Sequence, residues 1–228
     1  MKEKIQQMLD DIESETRLTR HLIGKNALDE RVLNAMREVP RHLFVPEVSR
    51  HFAYTNGPVS IGLGQTISQP YIVALMTDLL SVKPDDTVLE IGTGSGYQAA
   101  ILSRLVKQVY SVEIVGVLAD KASERLETYH FRNIKVRSGD GYLGWPEHAP
   151  YDGIIVTAAA PHIPQPLIDQ LKEGSRLVIP VGLPYSYQEL LVIEKDLNGE
   201  INTRRVLGVS FVPFTGKHME SEKGRCAD

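Results

Sequence analysis

Apolar residues recur along the first forty positions at the spacing of a helix face. Ile5, Met8, Leu9 and Ile12 form one set, and Leu28, Val32, Met36 and Val39 another. They predict two amphipathic helices packed on a later sheet, the second stopped by Pro40. Residues 41–58 show no strong period and are rich in turn formers, so a loop is expected there. Past Gly64-Gln65-Thr66-Ile67-Ser68-Gln69-Pro70 an apolar helical run covers 71–80, with Ser68 or Thr66 as its cap and Pro70 in its first turn. From Lys83 short apolar runs alternate with helical periods. Strands are predicted at 87–91, 109–113, 134–137, 151–157 and 176–182, and helices at 98–106, 118–130 and 166–171, the last stopped at Gly174. Such alternation specifies βαβ units and an α/β fold with a mainly parallel, doubly wound sheet. Two further strands, 189–195 and 204–211, read as an antiparallel edge, followed by a polar tail from Gly216.

The first strand of that alternation, Val88-Leu89-Glu90-Ile91, opens into Gly92-Thr93-Gly94-Ser95-Gly96-Tyr97. Glycines let the backbone take positive φ and approach a ligand closely, and a helix starting near Tyr97 aims free N–H groups at the same space. The dinucleotide fingerprint would need its last glycine at Tyr97. No Gly-Lys-Ser/Thr follows for a P-loop, and a hydrolase elbow around Ser95 fails at Thr93 and Tyr97. The pattern instead resembles motif I of the Rossmann-like S-adenosyl-L-methionine (AdoMet) methyltransferases. Ligands of open α/β sheets bind at the carboxyl ends of strands, where Glu90, Glu113 and Asp140 are expected. Glu113 is placed to accept both hydroxyls of a ribose and Asp140, beside Gly141, a hydrogen bond from an adenine amino group. Gly92, Thr93, Gly94, Ser95 and Gly96 would lie against the methionine part.

Length and composition narrow the class. A chain of 228 residues suits one α/β domain with an appendage. Residues 1–80 would be N-terminal helices and a covering loop, 81–215 the methyltransferase core, and 216–228 a tail. Charged residues make up 24% and no apolar run approaches the roughly 20 residues of a membrane span, so no membrane association is expected. The charged N-terminus is unlike a secretory signal, and a cytoplasmic location is expected. One cysteine, Cys226, excludes an internal disulfide framework. A net charge of −4 with no basic cluster argues against nucleic-acid binding. The histidines include no pair three or four apart, so no metal site is expected. Amino-group methyltransferases often carry an Asn/Asp-Pro-Pro-aromatic clamp after the fourth strand, where this chain has Thr157-Ala158-Ala159-Ala160-Pro161. Cys226 is misplaced for a cytosine-C5 methyltransferase.

The segment from Gly64 to Pro70, the glycine turn, Gly139-Asp140-Gly141, and the stretches 151–161 and 171–182 together resemble the protein-L-isoaspartate O-methyltransferase family, over about residues 31–215. The Thr66-Ile67-Ser68-x-Pro70 element is the specific part. The resemblance implies methyl transfer from AdoMet, leaving S-adenosyl-L-homocysteine, to the free carboxylate of isoaspartyl residues in damaged proteins and peptides. The ester then closes to a succinimide. By the same resemblance Ser68 is the active-site serine, Gln65, Thr66 and Ile67 join the cofactor residues, and Thr66, Ser68, Ala158 and Ala159 face the substrate. It also implies C-terminal strands ordered unlike those of most methyltransferases. The residues alone leave open a small-molecule carboxyl methyltransferase or a non-catalytic AdoMet-binding module. An isoaspartyl carboxylate, with a pKa of about 4, is already the nucleophile at neutral pH, so no general base is required.

Overall fold

In the computed structural model, which describes residues 1–184 and 186–216, the helical periods at the N-terminus become α1 (Lys2–Ile23) and α2 (Glu30–Glu38). Met8, Leu9 and Ile12 are buried on the first, and Val32, Leu33, Ala35 and Met36 on the second. α1 ends at Gly24, whose φ of 72° lets its amide close onto the Arg20 carbonyl. α2 starts at Asp29, whose carboxylate accepts from the Arg31 amide. The tail from 217 onward, with Cys226, lies outside the described residues.

Two 3₁₀ turns, Arg41–Phe44 and Glu47–Phe52, lead into an antiparallel hairpin of β1 (Val59–Gly62) and β2 (Gln65–Ile67). This hairpin lies just past the irregular passage expected at 41–58, in a stretch with no predicted strand. Its strands are too short to show a period, and its tip at Leu63 and Gly64 takes φ of 54° and 74°. α3 (Pro70–Leu80) follows, buried almost all round. Pro70 opens it as expected, but the capping position is Gln69 and no side chain caps the helix. Neither Ser68 nor Thr66 does so: Ser68 stands one residue too early, and Thr66 is inside β2.

The alternating half of the chain folds as β3 (Thr87–Ile91), α4 (Tyr97–Ser103), β4 (Gln108–Glu113), α5 (Gly116–Thr128), β5 (Ile134–Ser138), β6 (Tyr151–Val156), α6 (Gln165–Asp169), β7 (Leu171–Gly182), β8 (Gln188–Lys195) and β9 (Ile201–Val209). The strands form one sheet in the order β5-β4-β3-β6-β7-β8-β9, separate from the β1–β2 hairpin. The pairs from β5 to β7 are parallel, and β7–β8 and β8–β9 are antiparallel. The C-terminal strands therefore lie in chain order, as a meander. Alternation divides the core between the two faces. Val88, Ile155 and Val178 join the cluster that also holds Met8 and Leu75, while Leu89, Ile154 and Leu177 belong to the cluster on the opposite face.

Two expectations need correction, and the packing of the N-terminal helices is more indirect than expected. α1 packs on α2, α3 and the edge strand β9, and α2 on α1, α3 and α4, within a core shared with the sheet. Asp78 on α3 fixes them there: buried, it accepts from Lys25 Nζ at 2.5 Å and the Asp29 amide at 2.7 Å. The helix predicted at 166–171 stops at Asp169, and β7 begins at Leu171 in register with Tyr151. Gly174, at φ 77°, sits inside that strand at a bulge instead of ending a helix. The last strand ends at Val209, short of Phe211, because 210–214 turns back across the sheet: the Phe211 amide donates to Gln188 Oε1, the Ala159 amide to the Val212 carbonyl and the Phe214 amide to the Ala159 carbonyl. Among the described residues no helix is long and apolar enough to cross a membrane.

Candidate active site

The tips of β3, β4 and β6 converge. Gly92 donates to the Val112 carbonyl at 2.8 Å, and Thr157 donates through its amide to the Ile91 carbonyl at 2.9 Å. The Thr157 hydroxyl reaches the Gly92 carbonyl at 2.7 Å. A side chain on Gly92, at φ 95°, would collide with that hydroxyl, and one on Gly141 would strike Ile91. These two glycines are therefore required by close approach of backbone. Over the tips lies a cleft bounded by Gln65, Thr66, Gly92, Gly94, Glu113, Gly141 and Ala158, with Ile91, Val112 and Phe214 as its apolar walls.

Glu113 is only 6% exposed, and its two carboxylate oxygens accept from the Gly94 amide at 2.8 Å and the Val115 amide at 2.9 Å. A carboxylate offers about four acceptor sites, so lone pairs on both oxygens remain for a pair of hydroxyls. The residues present fit the ribose-bearing cofactor. Gly94 and Gly96 take φ of 54° and 87°, Gly96 capping α4 against Leu126. Thr93 and Ser95 are buried within the turn.

Glu90 departs from the expected strand-end position. It has no exposure, and alternation turns it to the α4 side of the sheet, away from the cleft that Ile91 lines. There it hydrogen-bonds Ser111, which in turn bonds Thr93, so the acid supports the turn from beneath. Burial pushes its carboxyl up to about 8. At Asp140 the neighbouring Gly141 lines the cleft, while the Asp140 carboxylate accepts from the Tyr142 amide. Ala159 is 1% exposed and its backbone is tied to Val212 and Phe214, so it anchors the C-terminal segment instead of facing a substrate.

Ser68 borders two further hollows. One runs between the hairpin and the ends of β8 and β9, past Gln69, Ile72, Tyr187 and Phe211. The other reaches under the hairpin to Ile67, Thr93, Ser95 and Tyr97. Thr66 and Thr157 border both of these and the Glu113 cleft as well, so the three spaces meet there. Thr157, Phe214 and Tyr187 were not singled out by sequence. The apolar Phe211-Val212-Pro213-Phe214, interrupted by a proline that no central strand tolerates, was the available signal for a segment that crosses a site.

A family model described as protein-L-isoaspartate(D-aspartate) O-methyltransferase (PCMT) matches residues 13–219. The chain belongs to that family. It is 61% identical over 212 residues to protein-L-isoaspartate O-methyltransferase 2 of Nitrosococcus oceani, covering 93% of this chain and 96% of that one. To the protein of the same name from Syntrophobacter fumaroxidans it is 59% identical over 211 residues, covering 92% and 85%. A solved protein-L-isoaspartate O-methyltransferase superposes with a TM-score of 0.81 at 26% identity, over 95% of this chain and 66% of that chain. A PCMT from Plasmodium falciparum, solved in complex with S-adenosyl-L-homocysteine, gives 0.72 at 27% identity, over 90% and 97%. The mainly parallel sheet with its antiparallel edge and N-terminal helices is thus the architecture of PCMT methyltransferases.

Proposed function

We propose that this PCMT chain transfers a methyl group from AdoMet to the free carboxylate of L-isoaspartyl residues in proteins and peptides, starting their repair through a succinimide. The observation that carries the reading is the meeting of the Glu113 cleft with the Ser68 groove at Thr66 and Thr157. AdoMet, when bound, supplies an electrophilic methyl on a sulfonium. Glu113 would hold its ribose through the lone pairs left free by Gly94 and Val115, and the glycine turn would receive its methionine end. Gln65 and Thr66 bound the cleft on the hairpin side, and Ile91, Val112 and Phe214 give it apolar walls. A water-poor site favours combining a cation and an anion into neutral products. Ser68 would orient the carboxylate by hydrogen bond, and in-line placement supplies much of the remaining rate.

An isoaspartyl residue is one backbone atom longer than an aspartyl one, so a groove gripping extended peptide presents only the isoaspartyl carboxylate correctly. Misplacement of about 1 Å can cost a hundredfold. The test is labelled-methyl incorporation into two peptides identical except for that linkage. Base-labile label on the isoaspartyl peptide, at least about a hundredfold above the aspartyl one, is the expected result. Equal labelling, or base-stable label, would reject the reading.

A further inference from the structure

Arg41 is fully buried, in the 3₁₀ turn that follows α2. Its Nε donates to the Ala53 carbonyl at 2.7 Å and its Nη2 to the Ser68 carbonyl at 2.6 Å. Its Nη1 is buried without a hydrogen-bond partner among the described residues. The guanidinium lies 4.8 Å from the centre of the Tyr97 ring, and Tyr97 is the first residue of the helix that leaves the glycine turn. No described carboxylate pairs with it; Tyr97 and Tyr54 are the ionisable groups that act on it.

A desolvated cation without a counter-ion is costly, and such charges are ordinarily paired. Two carbonyls and the ring and hydroxyl of Tyr97, none of them a full negative charge, answer it only in part. The residue whose carbonyl it holds, Ser68, opens onto the groove where the substrate anion is to sit, and Tyr97 borders the same hollow as Ser68. We infer that Arg41 is a positioning residue for the substrate carboxylate: it fixes the Ser68 peptide from behind and supplies, through that thin wall, the positive field that the anion completes. The inference rests on the carboxylate-methylating reading above. It explains how a site whose described lining holds no Lys, Arg or His selects an anionic nucleophile. A guanidinium buried behind the wall attracts the carboxylate without forming a direct ion pair that would quench its nucleophilicity.

The experiment uses the full chain loaded with S-adenosyl-L-homocysteine. Affinities are compared for an isoaspartyl peptide and for the same peptide with its free α-carboxylate converted to the carboxamide. The wild type should prefer the carboxylate at least tenfold. Arg41→Met, of similar length and without charge, should lose most of that preference while still binding S-adenosyl-L-homocysteine, and Arg41→Lys should keep it. A merely structural role would lower melting temperature or cofactor affinity and leave the preference intact, which would overturn the inference. Equal wild-type affinity for the two peptides overturns it without any variant. Should Arg41→Met not fold, loss of the preference in folded Arg41→Lys, which keeps the charge, overturns it too, and retention supports it. A wild type that labels the isoaspartyl peptide but ignores its charge rejects this inference alone; one that labels neither peptide rejects the parent reading together with it.

Discussion

Two buried acids lie within a few residues of each other in space, yet their surroundings give them different work. Glu113 is anchored by two amides and still has acceptor capacity facing the cleft. Removing a charged acceptor typically costs about 1.5–3 kcal/mol, so Glu113→Ala should weaken S-adenosyl-L-homocysteine at least tenfold by calorimetry, with some loss of melting temperature from the untied turn. Unchanged affinity in a folded variant would remove the ribose role. Glu90, in contrast, is held as the neutral acid, with a folded-state value of about 8 against 4.5. Its native form keeps a proton that the unfolded chain releases, so this contribution is fully present below about pH 4.5 and is lost as pH rises through 8. On that basis the wild type should lose roughly 2 kcal/mol between pH 6 and 8 that Glu90→Gln does not lose. Denaturant titrations of both proteins at the two pH values check this, and parallel slopes would show that Glu90 is not protonated in the folded chain. The spacing of the acids along the chain was legible in sequence. The face that each occupies was not, because the strand-end position was read without the parity that sends Ile91 to the cleft and Glu90 beneath the turn.

Among elements, β3 and β6 were the most legible, because each is a short buried apolar run with a turn former beside it, Asp86 and Gly92 at one and Pro150 at the other, whereas the first half of β7 was not legible. Nor was the passage from Arg41 to Ile67. Its turns are single, its strands are three or four residues long, and its order comes from distant partners such as Arg41 with Ser68. The helix that follows shows what the structure adds: with Gln69 at its cap and no side chain in that role, Ser68 is free of the structural duty its sequence position suggested. Ser68→Ala should therefore lower turnover on an isoaspartyl peptide at least tenfold while changing stability by less than about 0.5 kcal/mol. Melting curves and steady-state rates on the same preparations decide it. Full activity with a lowered melting temperature would restore the capping role and remove the catalytic one.

At the scale of the whole molecule, one apolar cluster extends from Met8 in α1 to Val206 in β9, so the N-terminal helices and the sheet share a core. The hairpin stands apart from this. β1 and β2 pair with each other and with no strand of the seven-stranded sheet. In deuterated solvent the consequence is a difference in clock. Segments with few ladder partners open without the rest of the protein. The paired amides of Val59–Gly62 and Gln65–Ile67 should take up deuterium at least about a hundredfold faster than those of Thr87–Ile91, which have a strand on either side. Mass spectrometry of quenched peptides would resolve the two segments. Uptake at one common rate would mean that the cover over the cleft separates only when the whole sheet does.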